Sequence, residues 1–144
     1  MKRSLTLLLC LLILFLLSGC SSGNTSKKVD EDSLQNQIIL NIQKNGGKKI
    51  DFESAMSGFE WDKVYIFTPY STLKQINKAV GYEWLTHKQG IQFRDDINLV
   101  AFVKGNKVVY SVEVPRKYGD FKVSSGKALD KSQSVVNIQP PTNK

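Results

Sequence analysis

The chain has 144 residues, with 20 lysines and arginines against 13 aspartates and glutamates for a formal charge of +7. That length holds one domain with a core of its own and is too short to build two lobes around a transported solute. Two cysteines and a single histidine leave nothing for a disulfide framework or a metal centre, and no nucleic-acid recognition motif accompanies the positive charge, so no cofactor, metal or nucleic acid is expected.

Residues 1–19 carry Lys2 and Arg3, then the apolar run Leu5 to Leu17, "LTLLLCLLILFLL", then small polar residues. A run of that length falls short of the ~20 residues that span a bilayer and fits the hydrophobic region of a signal peptide. It ends in Leu17-Ser18-Gly19-Cys20, which resembles the lipobox of bacterial lipoproteins. In that family the cysteine thiol receives a diacylglyceryl group, the signal peptide is cut before it, and the new amino end is often acylated, with palmitate-like chains. The resemblance implies lipidation at Cys20 and a mature protein held at the extracellular face of the cell membrane. Two or three acyl chains suffice for stable anchoring at ~0.8 kcal/mol per buried methylene. Cleavage before Cys20 leaves 125 of the 144 residues and, without Lys2 and Arg3, a charge of +5. Cys10 departs with the signal peptide and Cys20 carries lipid, so the external fold has no free thiol.

From Cys20 to Asp32, "CSSGNTSKKVDED" has one aliphatic side chain, Val29, and is expected to be a flexible tether. The folded domain is expected over residues 33–139, followed by a disordered tail over 140–144, "PPTNK". Within the domain, Ser33 to Asn45 places Leu34, Ile38 and Ile42 on one helical stripe and stops at Gly46-Gly47. Val64 to Phe67 forms a short apolar strand closed by Pro69. Thr72 with Gln75 makes a capping-box pattern ahead of Leu73, Ile76 and Val80, and Gly81 ends this second helix. Gly105-Asn106 is a two-residue hairpin turn between "INLVAFVK" and "KVVYSVEV". Counting outward pairs Lys104 with Lys107, Val103 with Val108, Ala101 with Tyr110, Leu99 with Val112 and Ile97 with Val114. That register makes the Leu99 face core and leaves the Val100 and Phe102 face partly covered. A last strand, Ser134 to Ile138, extends the same sheet. The expected class is α+β: a mainly antiparallel sheet of about four strands with two helices packed on one face.

Catalysis finds little support. His87 stands alone in a polar loop, Ser57 in "SAMSGF" lacks the glycine two positions before it that a nucleophile elbow requires, and Asp95-Asp96 and Asp30-Glu31-Asp32 lack calcium-loop spacing. The basic pairs Lys27-Lys28, Lys48-Lys49 and Arg116-Lys117 are interleaved with acids and serve solubility or an anionic wall polymer. In "FEWDKVYIFTPYS", Phe59 to Ser71, alternation assigns Val64 and Ile66 to the core. Trp61, Tyr70, Tyr82 and Trp84 lie at element ends, where aromatics are either lids on the core or exposed anchors for a partner.

That run, with "INKAVGYEW" and "DDINLVAFVKGNKVVYSVEVPR", resembles a group of small uncharacterised lipoproteins and surface proteins of Gram-positive bacteria, over about Asp51 to Phe121. The resemblance favours a single-membrane envelope and brings no activity; Ser21, in place of an aspartate after Cys20, leaves the outer membrane of a two-membrane cell as the alternative. At the level of architecture, two helices on an antiparallel sheet resemble the β-lactamase inhibitory protein and outer-membrane assembly lipoprotein fold, which transfers no residue roles. The expected function is a non-catalytic, lipid-anchored binding module whose partner is an envelope protein or an anionic wall polymer. The alternative is a small wall-directed hydrolase using Asp62, His87 or Asp95-Asp96.

Overall fold

The computed structural model describes residues 30–86 and 90–142. The signal segment, Leu17, Ser18, Gly19 and Cys20, the tether before Asp30, and His87 lie outside the described residues. The first helix, α1, runs Glu31–Lys44 and buries Leu34, Ile38 and Ile42, the stripe expected from their spacing. It begins two residues earlier than the expected start at Ser33, because Glu31 and Asp32 are acidic residues favoured in a helix's first turn. β1, Lys49–Asp51, and the single turn α2, Phe52–Ala55, follow, with the Asp51 carboxylate accepting from the Ser54 amide as an N-cap.

β2 is Lys63–Phe67 and α3 is Leu73–Val80. The Thr72 and Gln75 capping box is formed in both directions, and Gly81 closes α3 in the left-handed conformation. β3, Ile97–Lys104, and β4, Lys107–Pro115, make the hairpin; β5, Asp120–Phe121, β6, Ala128–Asp130, and β7, Val135–Gln139, complete the chain order.

The fold is α+β with two antiparallel sheets, a four-stranded one ordered β4-β3-β2-β6 and a three-stranded one ordered β1-β7-β5. β7 therefore does not extend the large sheet as expected. It pairs with β1 and β5, strands too short to announce themselves by alternation, and Ile50, Phe121, Val136 and Ile138 close the main core from that side.

The two larger helices lie on opposite faces of the four-stranded sheet, not on one. α1 covers the face of Val64, Ile66, Val100 and Phe102, whereas α3 covers Phe67, Leu99 and Ala101 through Leu73, Ile76, Ala79 and Val80. β3 is consequently buried on both faces from Ile97 to Val103, so the Val100 and Phe102 face belongs to the main core and is not half-open.

A β-bulge explains the miss. The pairs nearest the turn match the count, Val103 with Val108 and Lys104 with Lys107, but Phe102 faces Tyr110 and every pair beyond is shifted by one. The extra residue, Val109, is left exposed, and Val112 and Val114 turn toward α1 instead of toward α3. The apolar pattern of β4 alone cannot distinguish the two faces when both are covered.

Candidate functional site

The loop from β2 to α3, Thr68-Pro69-Tyr70-Ser71, is held by hydrogen bonds to two other loops. Ser71 N donates to Thr68 O at 3.2 Å, Pro69 is second and Tyr70 has φ of 65°. Those are the marks of a type II turn, whose third position ordinarily holds glycine or asparagine because a Cβ is crowded there. Among the described residues, Tyr70 is the one non-glycine with positive φ. A bulky residue held so costs about 1–3 kcal/mol and persists only where its surroundings enforce it.

The surroundings do so from two sides. Tyr70 N donates to Ile91 O at 3.1 Å and Arg94 O at 3.3 Å, in the turn leading into β3. On the other side, Ser125 Oγ accepts from Thr68 N at 3.2 Å and shares a 3.0 Å hydrogen bond with Ser71 Oγ, which in turn donates to Thr68 O at 2.7 Å. Ser71 is buried, so this hydroxyl pair fixes the turn from inside. The result is a tyrosine ring 56% exposed on a rigid ridge.

The ridge separates two clefts. One, of about 490 Å³, is lined by Ser71, Gln75, Lys78, Ser125 and Gly126, and the other, of about 250 Å³, by Asp95, Arg116, Asp120, Phe121 and Thr142; Thr68, Pro69 and Tyr70 wall both. Arg116 and Asp120 form a bidentate ion pair at 2.6 and 2.8 Å. Arg116 holds the Asp120 carboxyl below the usual carboxylate range; burial opposes the shift and hydrogen bonds from Thr142 add to it. Asp120 in turn raises Arg116, so both charges stay fixed in the second cleft. Arg116 is thus a structural half of a pair, not a free solubility charge.

The four aromatics singled out in the sequence divide. Trp61 is 3% exposed and packs edge to face on Phe102, which places it in the core as a lid and removes it from the partner-facing surface. Trp84 is half-buried against the α3 core, in a loop held by Asn77, whose Oδ1 accepts from Trp84 N and Leu85 N. Tyr82 is at the exposed surface but its hydroxyl accepts from Val108 N at 2.9 Å beside the bulge. Tyr70 alone of the four combines exposure, rigidity and flanking clefts.

Two participants were not singled out. Phe93, 81% exposed, belongs to the same turn that pins Tyr70. Asp120 carries no signal in the sequence, because no apolar periodicity around Arg116, four residues earlier, marks a helical turn that would bring the two together. Residues Pro140 to Thr142, expected to be disordered, are instead tied down: Thr142 bonds to both Arg116 and Asp120. Prolines cannot join a sheet, but they do not prevent side-chain capture of the residue after them.

The carboxylates proposed for hydrolysis are not assembled. Asp62 N bonds Val103 O and its carboxylate accepts from Gly105 N at 2.7 Å, at the turn end of β3. Asp96 binds Arg94 at the opposite end of that strand, about 23 Å away at 3.3 Å per residue. Asp95 faces the second cleft without either of them. Among the described residues no three His, Cys, Asp or Glu side chains gather as metal ligands, and no helix is long and apolar enough to cross a membrane. Compared with known proteins, the chain matches no family, no curated protein and no solved structure.

Proposed function

We propose that the protein is a lipid-anchored, non-catalytic binding module of the bacterial cell envelope, whose α+β domain grips a partner at the Tyr70 ridge and its two clefts. The observation that carries the binding reading is Tyr70 in a left-handed turn position with its ring exposed. Strain of that kind is maintained against stability, and glycine or asparagine would relieve it. An exposed, pre-positioned aromatic beside concave polar surface loses little side-chain freedom on binding, which is what an interaction anchor needs. Envelope protein or anionic wall polymer remains the partner class.

Tyr70→Asn separates function from folding. The unfolding free energy from urea denaturation should stay equal or rise by up to about 1 kcal/mol, because asparagine tolerates the left-handed region. Retention of the purified domain on isolated cell envelopes should fall about tenfold, the loss typical of an interface anchor. Unchanged retention would remove Tyr70 from the binding surface.

The anchor rests on Leu17-Ser18-Gly19-Cys20 closing an apolar signal segment. Cys20→Ala should abolish incorporation of a labelled fatty acid and leave the protein as an unprocessed precursor or a released form. A mature, membrane-bound product from that variant would refute lipidation at Cys20.

A further inference from the structure

The Arg116–Asp120 pair does more than brace the second cleft. Asp120 Oδ2 accepts from Thr142 N at 2.9 Å and from Thr142 Oγ1 at 3.1 Å, while Arg116 Nη2 donates to Thr142 O at 2.6 Å and lies 3.3 Å from Oγ1. The amide, carbonyl and hydroxyl of one residue are all met by two side chains, with no strand ladder involved. Because the pair is bidentate, both groups are held in place before any peptide arrives.

The residues leading to Thr142 suit such capture. Pro140 and Pro141 have fixed φ and no N–H to satisfy, so an extended segment containing them loses little entropy on docking. Pro141 lies with Asp96, Pro115 and Lys117 around a depression of about 380 Å³ that Arg116 also lines. Arg116 lines the Tyr70 cleft as well, where Asp95 and Phe121 border about 250 Å³ between the captured threonine and the ridge.

We infer that Tyr70, Arg116 and Asp120 form a receptor for an extended peptide of the Pro-Pro-Thr kind, and that the chain's own Pro140–Thr142 occupies it in cis. This rests on the binding-module reading and specifies the ligand as a peptide segment of an envelope protein. Backbone N–H and C=O groups occur in every peptide; the threonine hydroxyl and the prolines supply selectivity. A partner must displace the cis segment, whose effective concentration is in the millimolar range for a connection this short, so the intact protein presents a guarded site.

The test uses the mature protein with Thr142→Pro, which removes both donors to Asp120, and the synthetic peptide covering Gln139 to Lys144, followed by NMR titration of the backbone amides. The peptide should bind the variant at least about tenfold more tightly than it binds the wild-type protein, with shifts at Tyr70, Arg116 and Asp120. A peptide carrying Thr142→Val should bind about tenfold more weakly than the native peptide, since it forfeits a hydrogen bond to a carboxylate. A folded Thr142→Pro protein that ignores the peptide, or that binds the threonine and valine peptides alike, overturns the inference. Because the peptide assay contains no envelope, those outcomes leave the Tyr70-dependent retention on envelopes untouched and so fail separately from it.

Discussion

Trp61→Ala should lower the unfolding free energy by about 3–5 kcal/mol, whereas Trp61→Phe should cost much less. The indole is 3% exposed and meets Phe102 edge to face, with ring centroids 5.2 Å apart and planes at 67°. Phe102 also meets Phe52 at 5.8 Å, so removal of the indole opens the aromatic centre of the main core. Lys131 Nζ lies 5.3 Å from the indole centroid; that contact is lost in Trp61→Ala and kept in part in Trp61→Phe, since phenylalanine keeps a π-face. Phenylalanine also deletes the buried Nε1, which has no hydrogen-bond partner among the described residues. Leaving such a donor unpaired costs about 1–3 kcal/mol, so its removal offsets part of the lost volume. Urea denaturation of the three proteins decides the matter. Equal midpoints for Trp61 and Trp61→Ala would show a peripheral ring and return Trp61 to the set of partner anchors.

Such a result would also locate the limit of what the sequence discloses about this run. Val64 and Ile66 are legible as core because a strand's period of two separates them from Lys63 and Tyr65. Trp61 precedes the strand, where no periodicity applies, and its burial depends on Phe102 and Lys131, both distant in sequence. The same contrast holds elsewhere. α1 and α3 are legible through a three-residue stripe at a spacing of four and a capping box, which are local. The bulge at Val109 and the departure of β7 to a second sheet are set by which face α1 covers and by β1 and β5, which are long-range facts. Within the site, "TPYS" contained a local signal: a proline-led turn with no glycine or asparagine where one is expected. The Arg116, Asp120 and Thr142 cluster had no such signal, because a 3₁₀ turn at Arg116–Tyr118 and the β5 to β7 pairing bring it together.

Gly119→Ala is expected to be the other severe substitution, at about 3–5 kcal/mol, and to disable the peptide site along with stability. Gly119 joins that 3₁₀ turn to β5 with φ of 119° and ψ of 169°, a region open essentially to glycine alone. A Cβ there would stand 2.2 Å from Ile138 Cγ2 and 2.8 Å from Gln139 O. Ile138 is core and Gln139 pairs with Asp120, so neither can retreat without pulling β7 from β5. Backbone strain of about 1–3 kcal/mol and the clash therefore add, against a total stability of about 5–15 kcal/mol for a domain of this kind. Gly105→Ala supplies the comparison: its φ is 60°, but nothing lies within 4 Å of the added carbon. That substitution should cost only about 1–2 kcal/mol, the penalty of a left-handed alanine. Chemical denaturation of both variants separates conformation from collision, and equal losses would refute the close approach of Gly119 to β7. Where Gly119→Ala still folds, Asp120 must move with its neighbour, so the Thr142 amide should exchange with solvent markedly faster than in the Gly105→Ala protein. The junction that lets β5 pair with β7 is thus the same one that aims Asp120 at the captured threonine, which ties the stability of the small sheet to the integrity of the peptide site.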